Sequence, residues 1–101
     1  MIKPQLTSQE AGHYLLTGDL TFDTVATLGE EAQKVFTASA SVQTVNLEQV
    51  QRVDSAALAL LLEWLRQARQ HNNSLTFIHI PPQLQALMHV CHLNTLFNVA
   101  A

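Results

Sequence analysis

Apolar residues recur along this chain at two spacings, every second position and every third or fourth, and the changes between them set the expected elements. Residues 2–8 have a strand-like mix interrupted by Pro4, which suits an edge strand or the first residues of one. Residues 9–12 read as a turn, residues 13–17 as the strand that follows, and Gly18-Asp19 closes that strand. Two strands this close in sequence are expected to pair as an antiparallel hairpin. Asp23 or Thr24 can then cap a helix, because either side chain can accept from the free amides of a first turn. Val25, Leu28, Ala32, Val35 and Phe36 fall on one face of that helix, and Glu30 and Lys34 stand four apart on its solvent side. Residues 42–47 alternate apolar and polar positions with the Val and Thr content of a sheet.

The next helix has the clearest pattern. It should begin at about Asp54 or Ser55 and run to about Gln70, ahead of the turn-like His71-Asn72-Asn73. On a helical wheel Leu58, Leu61, Leu62, Leu65 and Ala68 form the stripe expected to face the sheet, with Leu60 and Trp64 on one shoulder. Glu63, Arg66, Gln67 and Gln70 occupy the opposite face, and Ala56 and Ala59 share that outward side in the first turns. Residues 75–80 form a further strand stopped by Pro81-Pro82, and residues 83–91 a short helix with Leu84, Leu87, Met88 and Cys91 at i, i+3, i+4 and i+7. Leu96-Phe97 belong to a final short element whose type the pattern leaves open. The order β-β-α-β-α-β-α implies an α/β fold: a mixed sheet with helices packed on it, opening on a hairpin and continuing through right-handed parallel crossovers.

Composition narrows the function more than the fold. The 101 residues fit a single domain, residues 1–101, and the balance of 48% apolar to 13% charged residues excludes intrinsic disorder. So few charges also leave a surface that a partner can cover. The net charge is -3 and the basic residues Lys3, Lys34, Arg52, Arg66 and Arg69 are scattered. Nucleic acid needs clustered cations to displace its counterions, and an anionic membrane surface needs a polybasic segment, so neither is an expected partner. The longest apolar run, residues 56–62, falls far short of the roughly 20 residues of a spanning helix, so direct membrane insertion is not expected. A lone Cys91 forms no internal disulfide, and the N-terminus has no apolar signal core, which together suit the reducing cytoplasm.

Catalytic chemistry is not expected. Gly12, Gly18 and Gly29 are far apart and none precedes a Lys-Ser/Thr pair, so there is no phosphate loop and no nucleotide cofactor. His89, Cys91 and His92 are local donors without the second pair that a zinc site commonly uses, and Cys91 reads as part of the apolar face of its helix. Nothing in the sequence places a base beside Ser55 to make it a nucleophile. The candidate site residues are therefore those of an interface. In the stretch from Val53 to Leu62, Asp54 serves as helix cap, while Ser55, Ala56 and Ala59 make an outward patch of small residues flanked by Leu60 and Glu63. Capping and helix propensity account for these residues in most proteins. The functional reading is that the patch stays small so that another protein can lie across it.

The element order, the Thr17-Gly18-Asp19-Leu20 segment and the Val53-Asp54-Ser55 junction resemble a STAS domain (sulphate transporter and anti-sigma factor antagonist) over nearly the whole chain. In the antagonists of that family the residue after this Asp is phosphorylated by a partner kinase, which places the matching position at Ser55. Ala56-Ala57 stand where that family usually has a small residue and a glycine. The string DSAALALLLEWLRQARQ is similar to the MlaB branch, the STAS subunits of bacterial phospholipid-transporting ABC complexes that maintain outer-membrane asymmetry. That resemblance implies a non-catalytic accessory subunit docked on the ATPase subunit, cytoplasmic and peripheral to the inner membrane through that partner. The alternative it implies is an anti-sigma factor antagonist whose partner is an anti-sigma factor kinase.

Overall fold

A computed structural model of the chain describes residues 2–10, 12–28 and 42–93. Strands β1 (Gln5–Glu10), β2 (His13–Leu20), β3 (Val42–Val53) and β4 (Ser74–Ile78) form one sheet in that order. β1 and β2 are antiparallel, whereas β2–β3 and β3–β4 are parallel, as the hairpin-then-crossover reading expects. Helix α1 (Ser55–Gln70) follows β3 and helix α2 (Pro82–Val90) follows β4. The architecture is α/β with a mixed sheet. Among the described residues no helix is long and apolar enough to cross a membrane.

Leu16 and Leu20 of β2, Val45, Leu47 and Val50 of β3, and Phe77 of β4 meet the inner face of α1 and Leu84 and Met88 of α2 in one buried cluster. Each such side chain removed from water contributes roughly 1.5–3 kcal/mol, which is why the apolar period predicts these positions.

Several expected boundaries move, each for a local reason. β1 starts after Pro4 and takes in Gln9 and Glu10, leaving a shorter turn. β2 does not close at Gly18-Asp19 but continues to Leu20, because Asp19 N–H donates to the Ile2 carbonyl at 2.9 Å and its Oδ2 accepts from Ile2 N–H at 3.0 Å. Gly18 makes that approach possible: its φ is +92°, and a Cβ there would lie 2.6 Å from the Lys3 carbonyl oxygen.

β3 is twelve residues long, twice the expected strand. Opposite Leu15 and Thr17 its partners are Asn46 and Gln49, and opposite Gly18 and Leu20 they are Val50 and Val53, so one extra residue is inserted at each step. Each such bulge inverts the alternation of faces. Leu47 and Val50 both point inward although three residues apart, and Asn46 Oδ1 holds the first bulge by accepting from Glu48 N–H at 2.8 Å. A strict two-residue period cannot see through that interruption.

Of the helix expected from residue 24, the described part is a 3-10 turn, Val25–Leu28; Ala32, Val35, Phe36 and the Glu30–Lys34 pair lie outside the described residues, as do Leu96 and Phe97. Thr24 does not cap this turn in the forward direction. It is buried, accepts from Thr21 N–H at 2.9 Å and donates to the Asp19 carbonyl at 2.6 Å, stapling the loop back onto the end of β2.

β4 ends at Ile78 because His79 adopts a left-handed backbone (φ 54°), after which Ile80 still reaches the core. Both helices end in the same motif. After α1, Asn72 is left-handed, Asn72 N–H donates to Arg69 and Asn73 N–H to Ala68; after α2, His92 is left-handed, His92 N–H donates to His89 and Leu93 N–H to Met88. Cys91 is thus the residue on which α2 stops, exposed, and not part of its apolar face.

Candidate functional site

The second bulge of β3 delivers the chain to Asp54, whose extended backbone (φ -140°, ψ -167°) ends the strand and opens α1. Its carboxylate faces two ways. Oδ1 accepts from Ala56 N–H at 2.8 Å, satisfying a free amide of the first turn, and Oδ2 accepts from Phe22 N–H at 3.0 Å in the loop after β2. Asp54 N–H in turn donates to the Leu20 carbonyl at 3.3 Å. The expected cap is therefore present, and it also clamps the β2 loop to the start of the helix.

Ala57, Leu58, Leu61, Trp64, Leu65 and Ala68 are the buried residues of α1. The buried stripe is turned toward Ala57 and Trp64 relative to the expected one. Trp64, placed on a shoulder by the wheel, is only 2% exposed, while Leu62 is half-buried. Ala57, Leu61, Trp64 and Ala68 lie on one line along the helix and all four are buried, so this line marks its sheet-facing side.

That rotation sets the outer face. Ser55, Ala59 and Arg66 are exposed on one line, whereas Ala56, Leu60 and Glu63 are half-buried along its flank. Ala56 is therefore less outward than expected, and Leu60 and Glu63 flank as expected. Toward the C-terminal end Arg66 donates through Nε and Nη2 to the two Glu63 carboxylate oxygens, the former at 2.9 Å, and Gln67 Nε2 donates to Glu63 Oε1 at 3.2 Å. These hydrogen bonds, from Arg66 first and Gln67 second, hold the Glu63 carboxyl well below its ordinary value, at about 2. Ser55 has no such side-chain hydrogen bond among the described residues. The exposed hydroxyl stands at the first helical position, where helix amides and dipole favour negative charge.

Phe22 is the residue that sequence reasoning missed. It is 82% exposed, and its backbone is one carboxylate away from the start of α1. Thr21-Phe22-Asp23-Thr24 contains the available signal: an aromatic set among turn-forming polar residues ahead of the expected helix start. No group of three or more His, Cys, Asp or Glu side chains is arranged to hold a metal ion among the described residues.

A family model described as the Mlab STAS domain matches residues 7–98. The chain belongs to that STAS family. No curated protein sequence matches it. Among solved structures it is similar to a chain of the Acinetobacter MlaFEDB complex in its ATP-bound Vtrans2 conformation, with 22% identity and a TM-score of 0.77 over 90% of this chain and 94% of that one. It is also similar to an anti-sigma factor antagonist from Mycobacterium paratuberculosis (16% identity, TM-score 0.72, 96% of this chain and 83% of that one). The phosphorylated Bacillus cell fate determinant SpoIIAA is a third (15% identity, TM-score 0.68, 91% and 86%). At these identities the solved structures share the STAS fold with this chain. The junction of strand and helix described above is thus the Val53-Asp54-Ser55 segment of a STAS domain.

Proposed function

We propose that this STAS domain is a non-catalytic accessory subunit of a bacterial phospholipid ABC transporter, docking on the ATPase subunit and supporting its activity. Its place is then cytoplasmic, peripheral to the inner membrane through that partner, and its service the lipid asymmetry of the outer membrane. The observation that carries the reading is the likeness, over nearly the full length of both chains, to a component of the MlaFEDB complex in an ATP-bound state. The geometry supports the same reading: α1 opens on exposed Ser55 and Ala59, flanked by Ala56, Leu60 and Glu63, with the helix start held rigid by Asp54. Small side chains lose little entropy on being covered, so a face of this kind suits close approach by a partner.

The test is binding of the purified transporter ATPase subunit to Ala59→Arg and Ser55→Glu variants. Both should fold with unchanged unfolding midpoints, since both positions are exposed. Both should weaken binding by at least about tenfold, because a bulky or charged group must be buried without an assured counter-charge. Wild-type affinity in both variants rejects this face.

A second reading, an anti-sigma factor antagonist switched by a kinase, is favoured by one feature, the exposed hydroxyl of Ser55 directly after the Asp54 cap. A phosphate there is tolerated by the helix N-terminus while altering what can dock. Ser55→Ala separates the two. In the transporter reading alanine costs little and native protein carries no phosphoserine; in the switch reading alanine locks the bound state and mass spectrometry finds the phosphate.

A further inference from the structure

The loop that Asp54 clamps is built to present one side chain. Thr24 is buried and ties Thr21 N–H and the Asp19 carbonyl together, Val25 N–H donates to the Thr21 carbonyl at 3.0 Å, and Phe22 N–H is fixed on Asp54 Oδ2. Between these fixed points Phe22 projects into solvent, 82% exposed, and the next residue, Asp23, is an exposed carboxylate with no partner among the described residues. An aromatic on a backbone already fixed has only its two side-chain torsions to lose when a pocket closes over it, which favours a binding hot spot.

We infer that Phe22 is the aromatic anchor of the docking face at the start of α1, and that its occupant is a partner protein offering an apolar pocket with a Lys or Arg beside it for Asp23. The inference rests on the docking reading above and extends that face from the helix to the β2 loop, through the carboxylate that joins them. Charge selects this occupant. An anionic membrane would repel Asp23, and the exposed cations Arg52 on β3 and Lys3 beside the end of β2 are too few and too scattered for a lipid surface. A second copy does contain an apolar cleft lined by Leu62 and Leu65 with Arg66 and Arg69 at its edge. However, the Arg66 guanidinium at that cleft is already held by the Glu63 carboxylate, so it is a poor counter-charge for Asp23.

The experiment is calorimetric titration of the purified ATPase subunit of the phospholipid transporter into wild-type, Phe22→Ala, Asp23→Asn and Ala59→Arg chains, with sedimentation velocity of each chain alone. Phe22→Ala should weaken binding about 30-fold, and Asp23→Asn a few-fold and more at low salt, both with unchanged unfolding midpoints. The chains alone should sediment as monomers. Affinity retained in Phe22→Ala but lost in Ala59→Arg overturns the anchor and leaves the helix face standing. Affinity retained in both, or no binding by the wild type, overturns the docking reading as well. A wild-type dimer that Phe22→Ala dissolves shows that a second copy is the occupant and overturns the assignment.

Discussion

The two faces of α1 obey different rules. The inner face, with Leu61 and Trp64 at its centre, is fixed by the volume between helix and sheet, and every residue on it is answerable to packing. The outer face has no such neighbour among the described residues, yet its two halves differ. From Glu63 onward it is a polar ladder of Glu63, Arg66 and Gln67 joined by hydrogen bonds, whereas at the start it offers only Ser55 and Ala59. A free face can be polar at almost no cost. Its first turns are small instead, beside a clamped loop carrying an exposed aromatic. The contrast teaches that the start of α1 is held rigid without being filled, which is what separates a surface for docking from one that merely meets water.

The largest effect expected is on the inner side. Leu61 is fully buried, and Leu61→Ala should cost about 2–5 kcal/mol from lost burial and the cavity left behind. Urea unfolding followed through Trp64, the sole tryptophan of the chain, measures it. The same truncation logic gives Ala59→Arg no more than about 0.5 kcal/mol on stability, as for other exposed positions away from packing. Equal losses at Leu61 and Ala59 would break the distinction between the faces.

A smaller loss is expected at the hinge between them. Asp54→Ala removes the cap and frees Phe22 N–H, and should cost about 1–2 kcal/mol. By contrast α2 starts at Pro81-Pro82 with no side-chain cap hydrogen bond, so no capping side chain bridges its start to a second loop. Amide hydrogen exchange should accelerate at Ala56 and Phe22 together in Asp54→Ala. Faster exchange at Ala56 alone would mean that the loop holds itself, through Thr24, and that the carboxylate does not bridge the two.

What the chain's pattern discloses follows the same division. The extent of α1, its cap, the hairpin and the parallel order are legible because each rests on a repeating period or on a local donor and acceptor. The second half of β3 is hidden because two bulges invert the period. Trp64 is misplaced because a leucine-rich wheel centres on its leucines, whereas in the packed structure Ala57, Trp64 and Ala68 are buried with Leu61 on one line. Cys91 reads as core by its spacing, yet the left-handed His92 ends the helix first. Of the candidate site, Asp54 and the small residues after it can be read locally. Phe22 cannot, since its nearness to Ser55 depends on a hydrogen bond between residues thirty-two apart.

The smallest effect belongs to the polar ladder, and it sharpens the contrast within the outer face. Glu63 has its carboxyl held down at about 2, against an ordinary 4.5, chiefly by hydrogen bonds from Arg66 and Gln67. A depressed carboxylate adds stability that is present above its unfolded value and lost as pH falls through the folded one. Any contribution from this pair should therefore be intact at neutral pH and decline only between about pH 4.5 and 2. Solvent screens an exposed pair, so the change in unfolding free energy should be slight. The site itself reports better: a carbon-13 carboxyl titration should place Glu63 near 2, and Arg66→Ala should return it most of the way toward 4.5. If Glu63 titrates at 4.5 in the wild type, Arg66 is not held. Its guanidinium would then be free to reach a partner, and the boundary between the small half and the polar half of the outer face would dissolve.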